Sequence, residues 1–368
     1  MLAECKEMTD ESYTDFFNLL QFSIGTIQKM PEAIGDWNAM YDVATQHALL
    51  GVFFYGIERL PSNLHPPKNI LLKWFAASEQ IKIRNQIVNK NVIGLTERLK
   101  KDGFSCCLLK GQGNATMYPN PMTRTPGDID IWVQPTQGKS IKTVIQYVRK
   151  SNTNARLAYH HIDGGTFNGT EVEIHYRPSF MNNLIHNKYL QDFFSSQAQL
   201  QFANSIKIDN ESIFIPTNEF NRIYQLTHIS RHIFHTGIGL RQIIDYYFLL
   251  IQGFTETERI KERKLLEKFG LYKVATAVMW VLKEMLKMDE KYLLVQPNEK
   301  LGRFLLDEIM LSGNFGQYDP RVKHGVSQWE KNLQRLKRDW RLVWYFPSEC
   351  LWEPIFRWYH FFWRACKT

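Results

Sequence analysis

The sequence predicts an α+β fold: a small mixed β-sheet core flanked by an N-terminal and a C-terminal helical region. Three observations lead to it. Up to about residue 100, apolar residues recur at helical spacing. Between Gly103 and about residue 176 the period falls to two, in short runs bounded by Gly and Pro. From Asn187 onward the helical period returns. The expected regions are therefore 1–102 helical, 103–186 an α/β core, 187–325 helical, and 326–368 a basic, aromatic-rich tail.

Each element has its own signal. Asp36 is placed to cap a helix on which Trp37, Met40, Tyr41, Ala44, His47 and Ala48 share a face. Pro61, Pro66 and Pro67 break the chain, and one long helix follows over 68–101, with Ile81, Ile87, Val88, Val92, Leu95 and Leu99 as its apolar face. The run 104–109 reads as a buried strand, 111–118 as a short helix, and Pro119, Pro121, Pro126 and Gly127 as a rigid loop. A second strand spans 128–133, and a helix over 139–150 aligns Ile141, Val144, Ile145 and Val148. Segments 156–163 and 170–176 read as a hairpin around Gly164, Gly165 and Gly169. Farther on, 205–209 and 212–216 pair across Asn210, Thr217 or Asn218 caps the next helix, and further helices are expected over 239–251 and 257–288.

Composition excludes several classes. With 44% hydrophobic and 22% charged residues the chain is globular rather than disordered. Five cysteines without a CxxC pair are neither a disulfide framework nor a zinc ribbon, and fit a reducing compartment. No apolar leader precedes Asp10 and no stretch reaches the length of a membrane span, so the cytoplasm is expected. The net charge of +8 suits a polyanionic partner: a nucleotide, a nucleic acid or an anionic surface.

The chemistry concentrates in Lys110-Gly111-Gln112-Gly113, Arg124 and Gly127-Asp128-Ile129-Asp130-Ile131. Residues two apart on a strand face one way, so Asp128 and Asp130 point together while Ile129 and Ile131 face the core. Two carboxylates about 6–7 Å apart repel unless a cation lies between them, and a divalent metal is the usual answer. A second acidic run, Glu171-Val172-Glu173-Ile174-His175, offers Glu173 as third carboxylate if its strand lies beside the first. Three carboxylates holding two magnesium ions support an in-line displacement at phosphorus, with a nucleoside triphosphate completing the coordination. Lys110 and Arg124 supply positive charge for the triphosphate, and Gly111 and Gly113 let the backbone approach phosphate oxygens.

This order of motifs is similar to that of the polymerase-β-type nucleotidyltransferase superfamily. More narrowly, Leu108-Leu109-Lys110-Gly111, Tyr118, Pro121, Arg124, Asp128-Ile129-Asp130 and Glu173-Ile174-His175 resemble a largely uncharacterised bacterial nucleotidyltransferase-like family. The resemblance extends to His228, Arg241, Asp245 and the run Gly313-Asn314-Phe315-Gly316, covering about residues 35–325. It implies magnesium-dependent transfer of a nucleoside monophosphate from a triphosphate such as ATP. It names no acceptor: a small molecule, RNA or protein fits. One departure stands out, since the superfamily places Ser or Gly after the first glycine of the phosphate turn, where this chain has Gln112.

The expected metal and catalytic set is thus Asp128, Asp130 and Glu173. The nucleotide-contacting set is Lys110, Gly111, Gly113, Arg124, His175, His228 and Arg241. His228, His232 and His235 share a helical face, but without Cys or an acidic fourth ligand zinc is not favoured; His228 and Arg231 are placed in the cleft instead. Arg241 and Asp245 form an i, i+4 pair, either a helix salt bridge or groups that orient the nucleotide. The tail from Trp352 to Lys367 interleaves aromatic and basic residues, a pattern that packs on its own protein, stacks on nucleic acid or makes peripheral membrane contact. Two other functions share the pattern: a toxin-like enzyme modifying tRNA or protein, and a non-catalytic nucleotide-binding scaffold.

Overall fold

The computed structural model describes residues 10–31, 34–138, 140–323 and 325–367; Cys5 and the residues before Asp10 lie outside them. Four helices lead: α1 (Asp10–Ile24), α2 (Trp37–Gln46), α3 (Leu50–Ile57) and α4 (Lys68–Lys101). Asp36 caps α2 as expected, its carboxylate accepting from the Asn38 and Ala39 amides. That helix is shorter than the sequence suggested. His47 ends it and Ala48 takes φ 57°, turning the chain into α3.

Next come β1 (Phe104–Leu108), the single turn α5 (Gln112–Ala115), β2 (Ile129–Pro135), α6 (Ile141–Ser151), β3 (His161–Phe167) and β4 (Thr170–His175). The sheet order is β1-β2-β4-β3. β1 and β2 run antiparallel, β2 and β4 parallel, and β3 and β4 antiparallel, so the sheet is mixed, as the sequence implied. One face carries Ile129, Ile131, Val133, Val172 and Ile174 against Val88, Val92, Leu95 and Leu99 of α4 and Val144, Ile145 and Val148 of α6. The other face carries Asp130 and Trp132; Trp132 packs on Phe202 and Phe220 of the following helical part. The face that carries Asp130 is thus closed in by helices.

The remaining elements are α7 (Leu184–Gln201), the hairpin β5 (Ser205–Ile208) and β6 (Glu211–Phe214), α8 (Asn218–His235), α9 (Leu240–Leu250), α10 (Glu256–Lys268), α11 (Tyr272–Leu286), α12 (Glu299–Ser312), α13 (Gln328–Leu342) and α14 (Pro347–Ala365). Asp209 and Asn210 turn the β5–β6 hairpin with φ of 48° and 70°. Thr217 caps α8 by accepting from the Phe220 amide.

Three expectations are corrected. The span 257–288 is two helices: Gly270 sits between them at φ +71°, where a Cβ would lie 2.2 Å from the His186 ring. The first strand of the 161–175 hairpin begins at His161 rather than 156, with its register shifted between Asp163 and Thr166 by the Gly164-Gly165 pair. On α4, Ile87 is exposed, and the inward row over 85–91 holds Asn85, Val88, Asn89 and Asn91. No helix among the described residues is long and apolar enough to cross a membrane.

Candidate active site

Parallel pairing of β2 with β4 sets Asp130 directly opposite Glu173, one carboxylate from each strand on the face turned to the helices. Three basic side chains converge on them. The Lys110 ammonium, at the end of β1, lies 2.9 Å from Asp130 Oδ2. His175 Nε2 lies 2.9 Å from Asp130 Oδ1 and 3.3 Å from Glu173 Oε2. From β3, His161 Nδ1 is 3.3 Å from that same Glu173 oxygen.

Electrostatics follow from this crowding. Burial alone would raise the Glu173 pKa, but the His175 hydrogen bond, His161 and Lys110 hold it down to about 2. Burial acts against the charged forms of Lys110 and His175, yet both have raised pKa values: Asp130, Asp128 and Glu173 favour the ammonium, and hydrogen bonds to Asp130 and Glu173 favour the imidazolium. His228 responds oppositely. Burial, with Lys110 beside it, lowers its pKa far below the ordinary histidine value, so the neutral ring accepts from Lys110 Nζ at 3.1 Å.

Asp128, half-buried just before β2, lines both the narrow pocket around Lys110, Gly111, His228 and Arg241 and a larger cleft beyond it. The narrow pocket holds about 30 Å³, a single water's worth of space. The cleft holds about 690 Å³, within the range of ligand sites, and is lined by His160, His161, Asp163, Glu173, Arg231 and His232.

Gly111 adopts φ 63°, ψ −116°, a conformation that requires glycine, and carries the chain from Lys110 into α5 along the pocket wall. Gly113 is buried, and its bare Cα faces Ile215, where a Cβ would sit 3.2 Å away. Gln112 turns from the pocket altogether. Its amide donates to Asn85 Oδ1 at 3.2 Å and Asn89 Oδ1 at 2.5 Å, so it clamps the turn onto α4.

Arg124 is buried and committed to Asp245 of α9, with Nε and Nη2 each donating at 2.8 Å to one carboxylate oxygen. Tyr118 and Asn114 donate to the same carboxylate at 2.6 and 3.3 Å. The i, i+4 pairing of Arg241 with Asp245 is therefore replaced by this longer-range one. Arg241 lies over Phe315 and donates from Nη1 to the Thr125 carbonyl at 2.9 Å, while its buried Nε has no hydrogen-bond partner. Burial and the neighbouring Arg124 lower its pKa to about 10.

Which residues fit a divalent ion can be read from donor spacing. Asp130, Glu173 and His175 form one group whose ligand atoms lie within 4.8 Å of one another, and His161, Asp163 and Glu173 form another. Glu173 belongs to both. Carboxylate oxygens with imidazole nitrogens are a competent donor set for a divalent cation. Asp128 faces the same cavity but closes no such group among the described residues. The sequence reading missed His161 and Asp163. Their i, i+2 spacing on one strand was visible, but their approach to Glu173 depends on the hairpin register.

A family model described as an uncharacterised nucleotidyltransferase matches residues 35–287, well over half of the chain, and the chain belongs to that family. No curated protein matches it. A solved structure of an antigenic nucleotidyltransferase-like protein from Paracoccidioides brasiliensis is similar at 12% identity and a TM-score of 0.31, over 58% of this chain and 96% of that one.

Proposed function

We propose that this member of the uncharacterised nucleotidyltransferase family transfers a nucleoside monophosphate from a nucleoside triphosphate to an acceptor hydroxyl, with magnesium as the divalent cofactor, by a polymerase-β-type reaction: the acceptor oxygen bonds to the α-phosphorus, the bond from that phosphorus to the β-phosphate oxygen breaks, and pyrophosphate and the hydroxyl proton leave. The observation that carries the reading is the Asp130–Glu173 pair on adjacent parallel strands, with Lys110 against it and Asp128 at the mouth of the cleft. Asp130 and Glu173, oriented by His175, would hold the cation, with Asp128 joining them from the wall of the same cavity. When bound there, such an ion would supply charge neutralisation for the phosphates and lower the pKa of the attacking hydroxyl.

The protein's own groups do the rest. Lys110 binds the phosphates as a point charge, and Arg241 offers its unspent Nε. Gly111 keeps the turn close enough for backbone approach. The phosphates point toward Lys110 and Arg241, while the 690 Å³ cleft receives the bulkier nucleoside or acceptor. Arg124 acts differently from the role its position in the sequence suggested: through Asp245 it positions the loop that carries Asp128. Gln112 leaves the phosphate turn free because it is spent on α4.

Calorimetric titration with ATP, GTP, CTP and UTP, with and without magnesium, tests this reading. Wild type should bind at least one triphosphate only with magnesium, and Asp128→Ala/Asp130→Ala should lose that binding. Failure of all four to bind would remove the transferase reading. Binding without any turnover would favour the non-catalytic nucleotide-binding alternative.

A further inference from the structure

Ten tryptophans divide sharply by place. The four before residue 326 (Trp37, Trp74, Trp132 and Trp280) are at most 8% exposed. In the C-terminal segment, Trp329, Trp340, Trp344 and Trp358 are 69%, 70%, 74% and 66% exposed, and Trp352 and Trp363 are half-buried. They fall on a repeated pattern. On α13 the exposed large apolar residues are Trp329, Leu333, Leu336 and Trp340; on α14 Leu351, Ile355, Trp358 and Phe362 form the matching row, with Tyr359 and Phe361 exposed beside it. Both sets follow i, i+4, i+7, i+11, which draws one stripe along each helix.

These stripes remain after the helices have docked. Leu342, Phe346 and Cys350 join the main core, and Phe356 stacks on Phe180 at 4.7 Å. Arg341 pairs with Glu308 at 2.9 Å. Each helix therefore has an inner face already satisfied and an outer apolar stripe turned to solvent.

Charge identifies what covers the stripes. Residues 326–368 carry eight Lys and Arg against four Asp and Glu, half of the chain's net +8 in a small fraction of its length. Two of the four acids, Glu349 and Glu353, are buried, whereas Lys331, Lys337, Arg357 and Arg364 are exposed. A second copy docked stripe to stripe would bring two positive segments together. An anionic lipid surface neutralises them and accepts Trp at the headgroup level, where indole rings concentrate.

We infer that α13 and α14 form a peripheral membrane-docking surface that lies in the interface of an anionic bilayer through these two stripes. Neither helix crosses the bilayer. The helices lie in the plane, apolar stripes toward the acyl chains and basic residues among the headgroups. Arg335 of α13 lines the 690 Å³ cleft, so docking brings the candidate active site to the membrane surface.

The test uses the full chain with vesicles of phosphatidylcholine alone or with phosphatidylserine, followed by flotation and tryptophan emission. Because the four tryptophans before residue 326 are buried already, a blue shift reports the tail. Binding to the phosphatidylserine vesicles should be at least roughly tenfold tighter than to phosphatidylcholine and should weaken in high salt. Leu336→Ser/Trp340→Ser/Trp358→Ser/Phe362→Ser should abolish it with unchanged thermal unfolding, and Lys331→Glu/Lys337→Glu should weaken it while the stripes remain. If the serine variant unfolds, the charge variant decides. Unshifted emission at millimolar lipid overturns the inference, as does vesicle binding unaffected by either variant. A dimer that shields these tryptophans without lipid, or an emission shift produced by an RNA oligomer but not by vesicles, also overturns it.

Discussion

Replacing Arg124 by methionine separates two roles that the sequence alone leaves merged, a phosphate ligand and a structural lock. In the folded protein the guanidinium makes two 2.8 Å bonds to a buried Asp245. Removing it strands a carboxylate that keeps only Tyr118 and Asn114 as hydrogen-bond donors, at 2.6 and 3.3 Å. Breaking a buried pair from one side costs about 3–5 kcal/mol, which urea unfolding at pH 7 resolves easily. The pH dependence carries a second signature. In the wild type, burial would raise the Asp245 pKa, but Arg124 and its hydrogen bonds hold it below the ordinary aspartate value. The pair's contribution is thus present above the unfolded pKa and lost as pH falls through the folded one. Without Arg124, burial prevails and the folded pKa rises, so the destabilisation should be greater at pH 8 than at pH 5. Adding Asp245→Leu should recover part of the loss, giving a coupling of roughly 2–3 kcal/mol in a double-mutant cycle. A destabilisation below about 1 kcal/mol, accompanied by a large loss of triphosphate affinity, would refute the lock and restore Arg124 as a phosphate ligand.

Three other perturbations have defined outcomes. Glu349, buried while accepting from the Asn182 and Asn183 amides, has its carboxyl pushed up to about 7 by burial. The native state then binds more protons than the unfolded chain between the ordinary glutamate pKa and 7, so this group makes stability fall as pH rises through that window. Glu349→Gln should flatten the slope by an amount on the order of 2–3 kcal/mol between pH 5 and 8, measured as unfolding midpoints across that range. Gly270→Ala must strain the left-handed turn between α10 and α11 and push on His186, lowering stability by roughly 2–4 kcal/mol; a variant as stable as wild type in urea would contradict the turn geometry. Asn85→Leu leaves the Met122 and Arg124 carbonyls without its amide and should cost roughly 2–4 kcal/mol, with weaker triphosphate binding by calorimetry; unchanged values for both would deny that α4 supports the site.

Where local signals were strong the sequence was legible. Pro66-Pro67 and Gly103 bracket α4, and the expected 68–101 span is the observed one. The period-two runs marked the strands, and the same-face rule paired Asp130 with Glu173 once β4 lay beside β2. Errors arose where one residue overrode a periodicity. Gly270 interrupts an otherwise continuous helical pattern, and Gly164-Gly165 shifts the hairpin register and with it the position of His161. Arg124 and Asp245 are 121 residues apart, and neither carries a local mark of the other. The buried asparagines of α4 carry no such mark, because their alternation with isoleucine and valine resembles an ordinary solvent-facing row.

Those asparagines explain how a four-stranded sheet can hold a site to fine tolerance. Asn85 donates to the Met122 and Arg124 carbonyls at 3.0 and 2.9 Å, fixing the loop before Asp128. With Asn89 it also accepts from Gln112, fixing the turn that follows Lys110. Asn89 reaches Asp209 in the β5–β6 turn at 3.3 Å, and Asn91 reaches Thr170 at the start of β4 at 2.8 Å. Four separately connected segments are thus referenced to one helix by bonds that are directional, whereas aliphatic contacts alone would allow the loops to slide. Gln112 belongs to this set. A serine at that position would leave Asn85 and Asn89 without its amide, so Gln112 and the polar row on α4 are two halves of one arrangement. The chain thus places the turn by side-chain bonds behind it, leaving Lys110, the Gly111 backbone and Arg241 to line the pocket in front, where the proposed reaction needs its phosphate contacts.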